Sequence, residues 1–152
     1  ILGRLTTVGW SEVLVLLPFA VVSAAVLIAH GRHLDVLAVG EEEASTLGMR
    51  ASRVRLTIVI AATLATAAAV SVSGLIGFVG IIVPHAVRRI TGTSYRAILP
   101  VSLLAGGAFL ILADLIARTV IAPSEIPVGV VTAFVGAPFF ALILARTRRG
   151  LA

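Results

Sequence analysis

The sequence contains no cysteine and no lysine, a single methionine, tryptophan and tyrosine, and only 12% charged residues in a length of 152. Without cysteine it cannot be a small secreted module built on disulfides. A soluble domain carries about a quarter charged residues. At half that density there are too few polar groups to cover a water-facing surface, which excludes a cytosolic enzyme and a disordered tail. Also absent are an initiator methionine, since the chain begins Ile1-Leu2-Gly3, and the pattern of a cleaved signal peptide. The expectation is a piece of a longer chain whose N-terminal half is missing. Apolar sequence dominates what remains, with 59% hydrophobic residues and a mean hydropathy of +1.15. This is the composition of an integral membrane protein. The net charge of +5 comes from arginines at the ends of apolar runs. That placement is a topology signal rather than a nucleic-acid-binding patch.

A membrane-spanning helix needs about 20 mostly apolar residues. Apolar runs predict spans at about 13–29, 54–72, 75–90, 97–117 and 128–145. The second and third come from one run, Thr57 to Pro84, which is too long for a single crossing and is broken at Ser71-Val72-Ser73-Gly74. Gly74, Gly77 and Gly80 lack the spacing of a nucleotide loop and are expected to allow a tight turn and close packing. Gly106-Gly107 is expected to favour close helix contact in the same way. The predicted fold is all-α, a polytopic membrane bundle with about five transmembrane helices in this stretch. Five spans place Arg32, Arg50, Arg53, Arg55, Arg88, Arg89, Arg96, Arg146, Arg148 and Arg149 on one side, and only Arg4 and Arg118 on the other. By the positive-inside rule the arginine-rich side, with the C-terminus, is cytoplasmic.

Between the first two spans lies the one long water-compatible stretch, with residues 34–49 at its centre. Gly40 can cap a helix, Glu41, Glu42 and Glu43 face the positive end of its dipole, and Gly48 is placed to end it. Ala44 and Leu47, three apart, predict a small apolar knob on one face. An ordinary loop helix packed on its own protein would show the same pattern.

Gly40-Glu41-x-x-Ala44-x-x-Leu47-Gly48 resembles the cytoplasmic coupling loop of ABC-importer permeases, in the family that imports ferric siderophores, haem and vitamin B12. Further blocks resemble the same family in order. They are Gly77-Phe78-Val79-Gly80-Ile81-Ile82-Val83-Pro84-His85 with Arg88, Leu112 to Arg118 around Asp114, Glu125-Ile126-Pro127-Val128-Gly129-Val130-Val131-Thr132, and Gly136-Ala137-Pro138-Phe139-Phe140. The resemblance covers about 40–140 and implies the C-terminal half of a ten-helix permease in a bacterial plasma (inner) membrane. It implies as partners cytoplasmic ABC ATPase subunits, an extracytoplasmic substrate-binding protein and a second permease subunit, in a homo- or heterodimer surrounded by lipid. Gly40, Glu41, Ala44, Leu47 and Gly48 would dock the ATPase. Arg118 would meet acidic residues of the binding protein, with Asp114 and Glu125 supporting. Glu42 and Glu43 depart from the family pattern, which bears on the choice of ATPase.

Bland readings stand beside these. Adjacent glutamates point in different directions around a helix and do not form a catalytic pair. Asp114 and Arg118, four apart, suit a simple intrahelical ion pair. Ser124, Glu125 and Pro127 suit a helix start. His30, His33 and His85 lack the convergent partners that a metal needs. No Walker-type loop, H-E-x-x-H or G-x-S-x-G occurs, so no catalytic, cofactor or metal residue is assigned, and ATP hydrolysis is expected on a separate subunit. A ferric siderophore is the first expected cargo, with haem and cobalamin as alternatives. An ion-coupled secondary transporter or a passive scaffold is the rival reading.

Overall fold

The computed structural model describes Gly3, Leu5, residues 9–120 and residues 126–149. Among them are seven helices and no strand: α1 (Trp10–Ala29), α2 (Gly31–Leu37), α3 (Glu41–Thr46), α4 (Ala51–Ser73), α5 (Val79–Thr91), α6 (Tyr95–Thr119) and α7 (Val128–Arg149). Three of them, α1, α4 and α6, are long and apolar enough to cross a membrane, and α7 carries a shorter apolar stretch, Val128–Ile143. The chain is thus an all-α helical bundle.

Hydroxyls fit within apolar α4 because they bond back to their own helix. Thr63 and Thr66 donate to the carbonyls of Val59 and Ala62, each at 2.8 Å, leaving no unpaired group to face hydrocarbon. Prolines inside α1, α5, α6 and α7 (Pro18, Pro84, Pro100 and Pro138) would be disruptive in water. Such breaks are common in membrane helices, where neighbouring helices satisfy the freed carbonyls.

The helices pair α1 with α4 and α5 with α6. Val83 and Val87 of α5 bury against Ile98 of α6, and Ala113 and Ala117 of α6 bury against Val128 of α7. Most other large apolar side chains point outward, as Phe134 does at 82% exposure. A helix apolar all round belongs in lipid or inside a larger assembly.

Two departures from the sequence expectation shape the fold. Residues 75–78 are not helical, although the sequence predicts helix from 75. α4 ends at Gly74 (φ 70°), and Phe78, the residue before α5, is itself left-handed (φ 66°). Between these points the chain runs down the side of α7. A Cβ at Gly129 would stand 2.9 Å from the Leu75 carbonyl oxygen, and one at Gly136 would collide with the Phe78 side chain. Seven residues of helix separate the two glycines, a drop of about 10 Å. Adding the 13 residues of α5, about 20 Å of helix, brings the 75–91 segment to about 30 Å, the thickness of a bilayer core.

The second departure concerns packing. Gly77, Gly80, Gly106 and Gly107 have open space where a Cβ would go, so the expected close contacts are not made there among the described residues. Gly129 and Gly136 make them instead.

The contacts define two ends. One gathers α2, α3, the start of α4, the end of α5 and the start of α6. The other gathers Gly3, Leu75, the end of α6 and the start of α7, through Gly3 N–H to Leu75 O (3.1 Å) and Ile126 N–H to Ala117 O (3.2 Å). Arg32, Arg50, Arg53, Arg55, Arg88, Arg89 and Arg96 all belong to the first end, and Arg118 to the second.

Candidate functional site

The segment after α1 folds as two short helices where the sequence suggests one. α3 starts at Gly40, whose φ of 151° and ψ of 152° lie in a region open essentially to glycine alone. Three glutamates occupy its first turn. It stops in a Schellman arrangement: Met49 N–H donates to Ala44 O (3.1 Å) and Gly48 N–H to Ser45 O (3.0 Å), with Gly48 at φ 80°.

Ala44 and Leu47 do not form one exposed apolar knob, contrary to the sequence expectation. Ala44 is wholly buried, whereas Leu47 is 75% exposed. The helix is only six residues long, and Leu47 is its C-cap (φ −77°, ψ 7°), already turned off the helical path. A second exposed aliphatic, Val39, stands 74% open just before α3. Sequence reasoning missed it because residue 39 precedes the helical pattern. The exposed surface is therefore Val39 and Leu47 flanking the acidic turn, with Ala44 as the inward anchor.

Both short helices are tied to long ones. The Glu41 carboxylate pairs with Arg55 of α4 at 2.6 Å, both side chains being more than half exposed. Asp35 of α2 accepts the Ser94 hydroxyl at 2.8 Å and the Tyr95 N–H at 2.5 Å, at the start of α6. A Cβ on Gly31 would stand 3.2 Å from the Cα of Arg96. No sequence pattern announces the Asp35 contact, which joins residues about sixty apart.

At the other end, Arg118 Nε donates to Asp114 Oδ2 at 2.7 Å within α6. The other Asp114 oxygen is buried with no hydrogen-bond partner among the described residues. Ser124 and Glu125 lie outside the described residues. His30 Nδ1 sits 2.8 Å from the Val26 carbonyl oxygen, its ring 5.3 Å from that of His33. His85 meets Phe139 edge-on at 5.7 Å, over a cavity of about 250 Å³ that Arg89 also lines. Among the described residues no group of three or more histidine, cysteine, aspartate or glutamate residues could hold a metal ion.

Known proteins place this architecture. The chain is 47% identical over 150 residues to the uncharacterised ABC transporter permease protein YvrB of Bacillus subtilis, covering 99% of this chain and 42% of that protein. It is 49% identical over 144 residues to the cobalamin import system permease protein BtuC of Halobacterium salinarum, covering 95% of this chain and 38% of that protein. It is 40% identical over 146 residues to the Fe(3+) dicitrate transport system permease protein FecD of Escherichia coli, covering 96% and 46% respectively. The chain thus spans less than half the length of these curated relatives. A solved ABC transporter of metal-chelate type, in an inward-facing conformation, superposes with a TM-score of 0.89 at 30% identity, covering 95% of this chain and 46% of that one. The model of the FecCD transport family matches residues 1–146, and the chain belongs to that family.

Proposed function

We propose that this chain is the C-terminal half of the membrane-spanning permease of an ATP-driven importer for metal chelates, with α3 as the element that receives the ATPase. The observation that carries this reading is the geometry of α3. It is a short acidic helix at the arginine-rich end, flanked by two exposed aliphatics and tied directly or through α2 to two long helices. Gly40 and Gly48 set its start and stop, Glu41 fastens it to α4, Ala44 anchors it inward, and Leu47 with Val39 enters the ATPase groove. The arginine-rich end is then cytoplasmic, the 75–91 segment counts as a crossing, and the C-terminus returns to the cytoplasm of a bacterial plasma (inner) membrane. Two such permease subunits, identical or different, enclose the path. ATP hydrolysis takes place on the separate ATPase subunits, and Arg118, oriented by Asp114 and joined by Glu125, faces a substrate-binding protein outside.

A ferric siderophore is the proposed cargo, in keeping with the names of an iron(3+)-hydroxamate and a siderophore permease among the relatives, with haem and cobalamin as the alternatives. The 49% identity to a cobalamin import permease favours cobalamin as the second reading. Uptake of labelled ferric siderophore against labelled cobalamin in reconstituted vesicles separates them.

Val39→Asp and Leu47→Asp in the full-length permease test the coupling surface. Burying an aliphatic side chain of this size is worth about 1.5–3 kcal/mol, or about ten- to a hundredfold in affinity. The expected result is that each variant folds and inserts but loses its ATPase during purification. Undiminished ATPase binding in both variants removes the assignment.

A further inference from the structure

We infer that Asp35 is a positioning residue that carries the displacement of α3 to the α5–α6 pair, an inference that rests on the reading of α3 as the ATPase-coupling element. The observation is an irregularity at the start of α6. Ser94 has the extended backbone of an N-cap (φ −74°, ψ 125°), yet its side chain makes no capping bond to its own helix. A serine in that place normally accepts an N–H from the first turn. Here its hydroxyl donates instead to Asp35 Oδ2, and the other oxygen of the same carboxylate accepts the Tyr95 N–H. α6 is therefore capped from outside, by a charged group on a different helix. The carboxylate also faces the positive end of the α6 dipole, which strengthens both bonds.

What lies on either side of this contact makes it a strut. Upstream, α2 packs on α3. Downstream, Tyr95 is gripped by α5: Arg88 donates to its hydroxyl at 2.6 Å, and the guanidinium carbon stands 5.1 Å from the ring centroid. Beneath them Val83, Val87 and Ile98 form one buried cluster, so α5 and α6 move as a unit. α3 also packs on α4, and the Glu41–Arg55 ion pair between them is exposed, where such pairs are weak. The Asp35 link uses two hydrogen bonds to one carboxylate, in a place where Gly31 lets the backbones of α2 and α6 approach. A push on α3 thus has a second route, through α2 to α5 and α6, beside its direct route into α4.

The test uses the full-length permease with its ATPase and binding protein in proteoliposomes, and reads cargo transported per ATP hydrolysed. Asp35→Ala is expected to keep the ATPase bound and hydrolysing while that ratio falls about tenfold, within the usual range of coupling between sites. Asp35→Asn, which preserves an acceptor for Tyr95 N–H, is expected to restore most of it. An unchanged ratio in Asp35→Ala overturns the inference. A second variant guards against misfolding: Ser94→Ala removes only the hydroxyl that donates to Asp35 Oδ2 and leaves the Tyr95 N–H bond in place. A fall in the ratio smaller than that of Asp35→Ala supports the strut, and an unchanged ratio in both variants overturns it. Leu47→Asp separates the two readings. If it too leaves hydrolysis and transport intact, the coupling assignment of α3 fails; if it uncouples while Asp35→Ala does not, only the strut fails.

Discussion

Arg118 and Asp114 illustrate how magnitude decides between two uses of one pair. Their 2.7 Å contact joins positions i and i+4 of α6, with the arginine side chain 44% exposed. Pairs of this kind contribute about 0.3–0.5 kcal/mol to a helix, so stability alone gives little reason to place them at this end of α6. Arg118→Glu should accordingly leave the full-length permease folded, while weakening capture of the binding protein about tenfold at low salt, with the difference shrinking as ionic strength rises. Binding affinities measured across a salt titration check this; equal affinities for wild type and variant at every salt concentration would remove Arg118 from the docking surface. The cluster of Gly40, Ala44 and Leu47 is a mixed case at the same scale. The helix start at Gly40 and the stop at Gly48 were legible, because glycine is favoured where φ is positive and a helix must end. Which side chains face out was not, since six residues are too few for periodicity to settle a face.

The element with most consequence is the broken segment between α4 and α5. Its serines and glycines signal a break, and the break is there. The position at which helix resumes depends on a partner: Phe78 takes its left-handed conformation with its ring over Gly136 of α7, where a Cβ would collide with it. Strain of this kind costs about 1–3 kcal/mol and persists only when the surroundings impose it. Gly136→Leu should therefore displace Phe78 and lower stability by about 1–3 kcal/mol. In Phe78→Gly, which removes the Cβ as well as the ring, the same replacement should cost less. Unfolding midpoints of the four proteins in detergent, read as a double-mutant cycle, check this, and strict additivity would mean that the two sites do not interact.

For the whole molecule the decisive feature is a sorting of charge between two ends, with Arg118 the one described arginine at the end opposite α2 and α3. The chain has no cysteine of its own, so single cysteines introduced here are the only thiols this stretch contributes. Thr93→Cys lies exposed at the arginine-rich end and Thr119→Cys exposed at the other. A membrane-impermeant maleimide should label position 119 in intact cells and position 93 only after permeabilisation. The reverse pattern would invert the topology and, with it, the assignment of α3 to the ATPase.

The sequence by itself determined the apolar character of the chain, the all-α class and the sorting of arginines between its two ends. These follow from composition, run length and arginine placement, which are local quantities and survive without knowing who touches whom. The family was legible separately, in the resemblance of the ordered motifs from Gly40 to Phe140. Only the tertiary structure decided the rest. It buried Ala44 and exposed Val39 and Leu47, let the chain descend beside α7 before α5 begins, and brought Asp35 to the head of α6. The last two outcomes depend on contacts between residues far apart in the chain, where the free energy of burial or of a satisfied hydrogen bond outweighs local preference.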